Sequence, residues 1–134
     1  MQLCHLSTSQ VKPASEVAMH AFFNDPMTIY CAPDESERVR LIPVYELNIN
    51  YGRLYGEAYV TSPNLEGAAV WMSPQEPSIS TWRMLRTGGW LLPFKVNHSI
   101  LSKLMAISAA AARVRRRLVP FPHWYLAVIF VHTE

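Results

Sequence analysis

The chain has 134 residues, of which half are hydrophobic, 16% are charged and 11% are aromatic. High apolar content with low charge excludes an intrinsically disordered chain, and 5 glycines without a short repeat exclude a collagen-like fibre. The formal net charge of +2 gives no strong field of either sign, so nucleic-acid or membrane-surface binding would need a local basic patch. We therefore expect one globular domain with a buried core.

Cysteine spacing and apolar run lengths set the expected compartment. Cys4 and Cys31 lack the CxxC spacing of a metal or redox site and form no disulfide framework. The N-terminus has no basic region followed by an apolar one, so we expect no secretory signal. The longest apolar runs are well short of the roughly 20 residues of a membrane span. We expect a soluble, cytoplasmic protein with no bound metal and no membrane or nucleic-acid partner.

The N-terminal segment predicts a strand followed by a helix. Residues Gln2–Thr8 favour a short strand. Apolar residues then recur at helical spacing from Ala14 to Phe22, which predicts a helix with one buried face. The sequence Asn24-Asp25-Pro26 ends this helix.

A second helix is predicted to begin at Asp34. Glu37 follows three residues later, and the two resemble a capping box. Gly52 is the expected end of the helix. Pro43 lies inside it, and because proline has no N–H and clashes with the carbonyl group four residues earlier, we predict a kink or break there.

The middle of the chain predicts a β-hairpin. Strands at Gly56–Thr61 and Ala68–Met72 are joined by the turn-rich residues Ser62–Gly67. Ser73–Ser80 contains two prolines and is predicted to be a loop. A short helix over Thr81–Thr87 is ended by the two glycines that follow it.

The C-terminal part predicts a long helix and an apolar strand. Asn97 is the expected N-cap of a helix that extends to about Leu118, and we expect this helix to pack on one face of the sheet. Pro120-Phe121-Pro122 is a stiff connector. His123–Val131 is apolar on both faces and rich in β-branched and aromatic residues, which predicts a central strand covered on both sides.

The element order β-α-α-β-β-α-β predicts an α/β fold with a mixed sheet in one domain over residues 1–134. The apolar strand His123–Val131 ends three residues before Glu134. An uncovered strand edge promotes aggregation. We therefore expect a second chain or further sequence to cover this strand, or the chain to be a truncated form.

Four stretches resemble the GNAT superfamily of acyl-CoA-dependent N-acyltransferases. They are AFFNDPMTIYCAPDESERVR at 21–40, YGEAYVTS at 55–62, LEGAAVWMSP at 65–74 and PHWYLAVIFVHTE at 122–134. Their order along nearly the whole chain carries the resemblance. It implies a GNAT-like fold that uses acetyl-CoA, with direct attack of a primary amine, from a small molecule or a peptide, on the thioester.

The resemblance also implies where the cofactor would bind. In the family, the fourth strand pairs with the pantetheine arm, which corresponds here to Ile129, Phe130 and Val131. The family continues into a glycine-rich loop whose N–H groups bind the pyrophosphate at a helix N-terminus. This sequence has Thr133 where the family usually has proline, and it contains no such loop. We therefore expect the N-terminal portion of such a domain, with weak or no acetyl-CoA binding.

The candidate catalytic bases are Glu57, His123 and Tyr125. Each has a plainer structural interpretation as well. Glu57 opens a strand and would suit a solvated strand end, His123 follows a proline and would cap a strand edge, and Tyr125 has the apolar ring and polar tip of a core residue.

Two tryptophans, Trp82 and Trp90, lie in the segment that shapes the acceptor pocket in proteins of this family. The resemblance therefore makes them candidate walls of a substrate pocket. The alternative is that both are core residues.

A cluster of arginines ends the long helix: Arg113, Arg115, Arg116 and Arg117. Cations at this position complement the negative end of the helix dipole, which explains the cluster without a ligand. The alternative is binding to RNA, an acidic lipid or a nucleotide phosphate, although no aromatic residues alternate with the arginines.

Two functions from different classes follow. The first is a GNAT N-acetyltransferase of which this chain alone would be inactive. The second is a catalytically inactive remnant that self-associates along its open fourth strand.

Overall fold

The computed structural model describes residues 3–73 and 81–132, and it contains a single antiparallel sheet. The strands are β1 (Cys4–His5), β2 (Glu57–Val60), β3 (Gly67–Met72) and β4 (Tyr125–Val131). They lie in the order β1-β2-β3-β4 and all three pairings are antiparallel. The prediction of an α/β fold is confirmed in this coarse sense, but the predicted mixed sheet is wrong for the described residues. Each connection between consecutive strands returns the chain to the end of the sheet at which the previous strand finished. Each new strand therefore runs antiparallel to its neighbour.

The helices exceed the number predicted. They are α1 (Val11–Ala21), α2 (Pro26–Cys31), α3 (Glu35–Arg38), α4 (Ile42–Tyr55), α5 (Thr81–Thr87), α6 (Leu92–Lys95) and α7 (His98–Leu118). Single 3₁₀ turns cover Thr8–Gln10, Val39–Leu41 and Gly89–Leu91. Helix α2 was not predicted, because the sequence Asn24-Asp25-Pro26 indicates only the end of the preceding helix. In the structure Pro26 occupies the first turn, and the Asp25 carboxylate accepts a hydrogen bond from the Met27 N–H (3.0 Å), which caps the new helix.

The predicted break near Pro43 is confirmed. The segment divides into α3, a 3₁₀ turn and α4, which begins at Ile42 with Pro43 in its first turn. The backbone N–H groups in the first turn of a helix have no carbonyl partner within that helix. Proline therefore loses no helical hydrogen bond at this position. The predicted end at Gly52 is wrong, because α4 continues to Tyr55. Gly52 instead lies against Val70 so closely that a Cβ atom would overlap the Val70 side chain, and the glycine lets α4 pack on β3.

One face of the sheet, here called the core face, packs against α1 and α4. The buried strand residues of this face are Ala58, Val60, Ala68, Val70, Met72 and Phe130. They alternate along the strands, as expected for a sheet with one buried face. Ala14 and Ala18 of α1 and Ile49 of α4 complete the cluster. The side chains at the alternate positions lie on the opposite face, here called the outer face.

The long helix α7 begins as predicted but packs elsewhere. The Asn97 side chain accepts a hydrogen bond from the Ser99 N–H (2.8 Å) and caps the helix. Its main contacts are with α2 and α6, around a small cluster that includes Cys31, Val96 and Ile100. This differs from the prediction that the helix packs on a face of the sheet, which α1 and α4 already cover.

Strand β4 is an edge strand among the described residues, and the prediction of a central strand covered on both faces is wrong there. It pairs with β3 alone. Phe130 is buried, whereas Ile129 and Val131 are 61% and 65% exposed. A run of apolar residues predicts a strand, but it does not predict whether that strand lies at the centre or at the edge of the sheet.

Candidate functional site

Glu57 lies on the outer face at the start of β2, beside two side chains that the sequence analysis did not select. The Tyr59 hydroxyl donates a hydrogen bond to Glu57 Oε2 (3.1 Å). His5 Nδ1 lies 3.7 Å from the same oxygen, and the His5 and Tyr59 rings are 4.9 Å apart between centroids. Tyr59 follows Glu57 by two residues and so shares its face, a signal that strand alternation could have given. His5 joins them only through the register of β1 with β2.

The hydrogen bond between Tyr59 and Glu57 fixes the proton on the phenol. Donation to the Glu57 carboxylate is the largest cause that raises the pKa of Tyr59, and loss of hydration and the negative charge of Glu57 act in the same direction. Tyr59 is therefore a neutral donor at physiological pH. The remaining acceptor capacity of the Glu57 carboxylate is directed to a face where a protonated amine could approach.

Tyr125 lies on the other side of the sheet from Glu57. It is in register with Met72 and packs against the main core cluster. The Arg115 guanidinium lies over its ring, 4.2 Å from the centroid. This contact joins the end of α7 to the start of β4, so the structure gives Tyr125 a packing role.

His123 lies before the first residue of β4, in the connector. Its Nδ1 atom is 2.8 Å from the Phe121 carbonyl oxygen, so Nδ1 carries the proton and donates it. Its Nε2 atom is shielded from solvent and has no hydrogen-bond partner among the described residues. With Nδ1 protonated, Nε2 of the neutral ring is an acceptor.

The three predicted bases occupy the same end of the sheet but do not form one cluster. Glu57 is in register with Trp71, and Trp71 with Leu126. Two interstrand steps of about 4.8 Å place Glu57 about 10 Å from the start of β4. A group bound at β4 therefore cannot contact Glu57 directly, and only a chain of waters or the substrate itself could connect the two.

The outer edge of β4 offers backbone groups that no described strand uses. The His132 N–H donates to the Glu66 carbonyl across the β3–β4 pair. In an antiparallel pair the backbone groups of successive residues alternate in direction. Phe130 therefore directs its N–H and C=O toward β3, whereas Ile129 and Val131 direct theirs away from the sheet. Of the three predicted cofactor-binding residues, Phe130 is a core residue and the other two lie at the free edge.

A β-bulge interrupts β4 close to this edge. Val70 is in register with Val128, and Trp71 with Leu126, so Ala127 is the extra residue. Bulges bend a strand, increase its twist, and are over-represented beside active sites. Here the bulge at Ala127 lies between the first two residues of β4 and the exposed residues Ile129 and Val131.

The two tryptophans proposed as pocket walls are mostly exposed. Trp82 on α5 is 66% exposed and Trp90 in the following 3₁₀ turn is 60% exposed, so the core interpretation is wrong for both. A groove of about 140 Å³ lies near this segment, between α4 and α6, and neither tryptophan lines it. Its volume is well below that of a typical small-molecule site.

The described part of the chain contains no candidate metal site. No group of three or more His, Cys, Asp or Glu side chains there could hold a metal ion. Cys4 is exposed and Cys31 is buried, and the two do not form a disulfide. Burial raises the pKa of the Cys31 thiol, which makes it a weak nucleophile. Over residues 3–73 and 81–132, no helix combines the length and apolar character needed to cross a bilayer.

Comparison with known proteins adds no family assignment. No protein-family model matches the chain, and no curated protein matches it significantly.

Proposed function

We propose that the chain provides the acyl-binding strand of a GNAT-type N-acyltransferase, which transfers an acetyl group from acetyl-CoA to a primary amine. The observation that carries the proposal is the free edge of β4. There Ile129 and Val131 present outward backbone N–H and C=O groups beside a β-bulge. An extended pantetheine arm carries amide groups that can pair with such an edge as an added strand would.

The reaction needs a donor at the thioester carbonyl and an acceptor for one proton. The amine nitrogen attacks the carbonyl carbon, a C–N bond forms, and the C–S bond then breaks to release the thiolate of coenzyme A. An outward N–H of β4 would stabilise the negative charge that develops on the carbonyl oxygen. The Glu57 carboxylate, held by Tyr59, would accept the amine proton through a chain of several waters, because two interstrand steps separate it from β4.

The nucleotide half of the cofactor has little to bind in this sequence. The pyrophosphate carries most of the charge of coenzyme A, and glycine-rich helix N-termini are its usual protein partners. No glycine-rich stretch of this kind occurs within the 134 residues. The pantetheine arm is therefore the part of the ligand that this chain recognises.

We expect acetyl-CoA and acetyl-pantetheine, which lacks the nucleotide, to bind with the same millimolar-range affinity. Titrations followed by amide NMR should move the Ile129 and Val131 N–H signals with both ligands. Thermal denaturation should show little change at millimolar acetyl-CoA, because ligand stabilisation grows only as RT ln(1 + [L]/Kd). Binding of acetyl-CoA at least tenfold tighter than acetyl-pantetheine would show that a phosphate site exists and would contradict the edge-only site.

The matched variants are Ile129→Pro and Ile129→Val. Proline removes the outward N–H but no bond to β3, and edge strands tolerate proline in this orientation. Valine keeps the N–H and the β-branched shape. Binding should be lost in the proline variant and retained in the valine variant. Equal binding by both would exclude the β4 edge as the cofactor site.

The second candidate function is self-association along β4. It is favoured by the absence of charged residues and proline from Tyr125–Val131, two of the features that usually protect an edge strand, and only the bulge at Ala127 interrupts this edge.

If β4 pairs with a second copy, Ile129→Lys should abolish concentration-dependent dimers in sedimentation experiments. The added charge would lie on an exposed position and would be buried without a partner in the pair. Phe94→Lys is the control, since Phe94 is exposed and lies on α6. Monomeric wild-type protein at all concentrations would exclude this function.

A further inference from the structure

Charge is strongly segregated along this chain. Between Glu76 and Glu134 there is no Asp or Glu, whereas the same stretch holds eight Lys and Arg residues. The acidic residues up to Glu76 balance this excess and conceal it in the net charge of +2. Such an asymmetry is typical of a protein with an anionic partner.

The last three turns of α7 are mostly exposed to solvent. Ile100 near the start of the helix is buried, and Lys103 Nζ donates to the Tyr30 carbonyl oxygen (3.2 Å), so this half is docked on α2. From Ser108 to Leu118, by contrast, only Ala112 and Arg115 are half-buried and all other residues are exposed. Packing therefore leaves this half of α7 available to a partner.

The arginines of this half have two different roles. Arg115 lies over the Tyr125 ring and holds the end of the helix to β4. Arg113, Arg116 and Arg117 are exposed and form no ion pair with any described residue. At 100° per residue these three side chains lie within one arc of about 100° on the helix. They form a continuous basic face that does not stabilise the fold through contacts.

Apolar side chains lie directly beside this basic face. Val114 and Leu118, one turn apart, are 53% and 70% exposed. Phe121 and Trp124 follow in the connector and are also more than half exposed. The interfacial patch is defined here as Arg113, Val114, Arg116, Arg117, Leu118, Phe121 and Trp124. A helix with arginines on one arc and aliphatic and aromatic residues beside it is typical of segments that lie in a membrane interface.

We propose that this interfacial patch binds the surface of an anionic lipid bilayer. Phosphate groups of lipids would pair with the three free arginines, and the acyl boundary would accept Val114 and Leu118 while Trp124 lies at the headgroup level. A nucleic acid would also attract the arginines, but it offers no apolar phase for the two aliphatic side chains. The expectation of no membrane partner rested on the short apolar runs and the low net charge, and neither excludes binding to a bilayer surface through a local patch. This proposal is independent of acyl transfer.

The test is sedimentation with vesicles of phosphatidylcholine alone and of phosphatidylcholine mixed with phosphatidylserine. We expect binding to the mixed vesicles only, weakened by salt. Replacing Arg113, Arg116 and Arg117 together by Gln should lower the partition coefficient by about two orders of magnitude, since each cation near the surface contributes roughly a fivefold step. Replacing Val114 and Leu118 by Ser should also reduce binding, which attraction to phosphate alone would not predict.

The matched control replaces Lys12, Arg86 and Lys95 by Gln. These three exposed cations lie on α1, α5 and α6, and the variant has the same net charge as the arginine variant. It should bind the mixed vesicles nearly as the wild type does. Equal loss of vesicle binding in the two variants would show that only the net charge of the protein matters. This result would overturn the proposal. Absence of vesicle binding, with tight binding to a single-stranded oligonucleotide that the arginine variant loses, would overturn it in favour of a nucleic acid.

Discussion

Replacing Gly56 by Ala should lower the free energy of unfolding by about 3 kcal/mol, a large share of the stability of a domain of this size. Gly56 follows the last residue of α4, and its N–H donates to the Gly52 carbonyl oxygen (2.8 Å). A Cβ atom here would overlap the backbone carbonyl oxygen of Trp71. Because that oxygen belongs to β3, it cannot move without disturbing the sheet. Urea denaturation of the two proteins measures the difference.

Gly67→Ala is the control for this experiment. A Cβ atom at Gly67 would lie 3.4 Å from its nearest neighbour, which is ordinary van der Waals contact. This variant should lose less than about 1 kcal/mol. A similar loss in both variants would show that the effect comes from general strand propensity, and that close approach of β2 to β3 at Gly56 is not its cause. The outcome bears on the candidate site, because Gly56 immediately precedes Glu57.

Arg38→Met should cost about 3 kcal/mol of stability, for a different reason. The Arg38 side chain is among the few buried charges, with 6% of the residue exposed. Its Nε donates to the Ala32 carbonyl oxygen and its terminal Nη2 to the Pro33 carbonyl oxygen, both at 2.9 Å. Hydrogen bonds from a charged donor contribute about 1.5–3 kcal/mol, and methionine would leave both acceptors without a donor. The guanidinium also lies over the Phe23 ring, 5.2 Å from the centroid.

Arg40→Met provides a control only two residues away. Arg40 is exposed, with 71% of its side chain accessible, and it forms a 3.8 Å ion pair with Glu37. Exposed pairs of this kind contribute at most about 1 kcal/mol. Thermal or urea denaturation should therefore separate the two variants clearly. Equal stability of the two variants would mean that Arg38 holds the loop before α3 no better than a surface arginine does.

Arg38 also shows how a resemblance and a structural role can rest on the same residue. It lies in the stretch 21–40, which contributed to the likeness to N-acyltransferases. In the structure its guanidinium donates hydrogen bonds to two carbonyl groups of the loop between α2 and α3. Arg38 in this stretch therefore stabilises the arrangement of the N-terminal helices. The proposal of acyl transfer depends on β4 instead.

Local chemistry in the sequence determined most of the elements. Helix periodicity predicted α1 and α7, the amide of Asn97 predicted the start of α7, and the missing N–H of Pro43 predicted the break before α4. Alternation and turn residues predicted the β2–β3 hairpin and its antiparallel pairing. Each of these features depends on interactions within a few residues, and such interactions can be recognised without knowledge of the fold.

The tertiary structure alone decided where the elements lie and which side chains meet. The apolar composition of β4 suggested a central strand, yet its place at the edge of the described sheet depends on which strands pair, and composition does not specify this. Glu57 was selected from the sequence, but His5 joins it through a pairing of residues more than fifty positions apart. Likewise, whether the arginines of α7 are exposed depends on which half of the helix packs against the rest of the protein. Contacts between distant segments are set by packing of the whole chain, and the sequence pattern of one segment cannot report them.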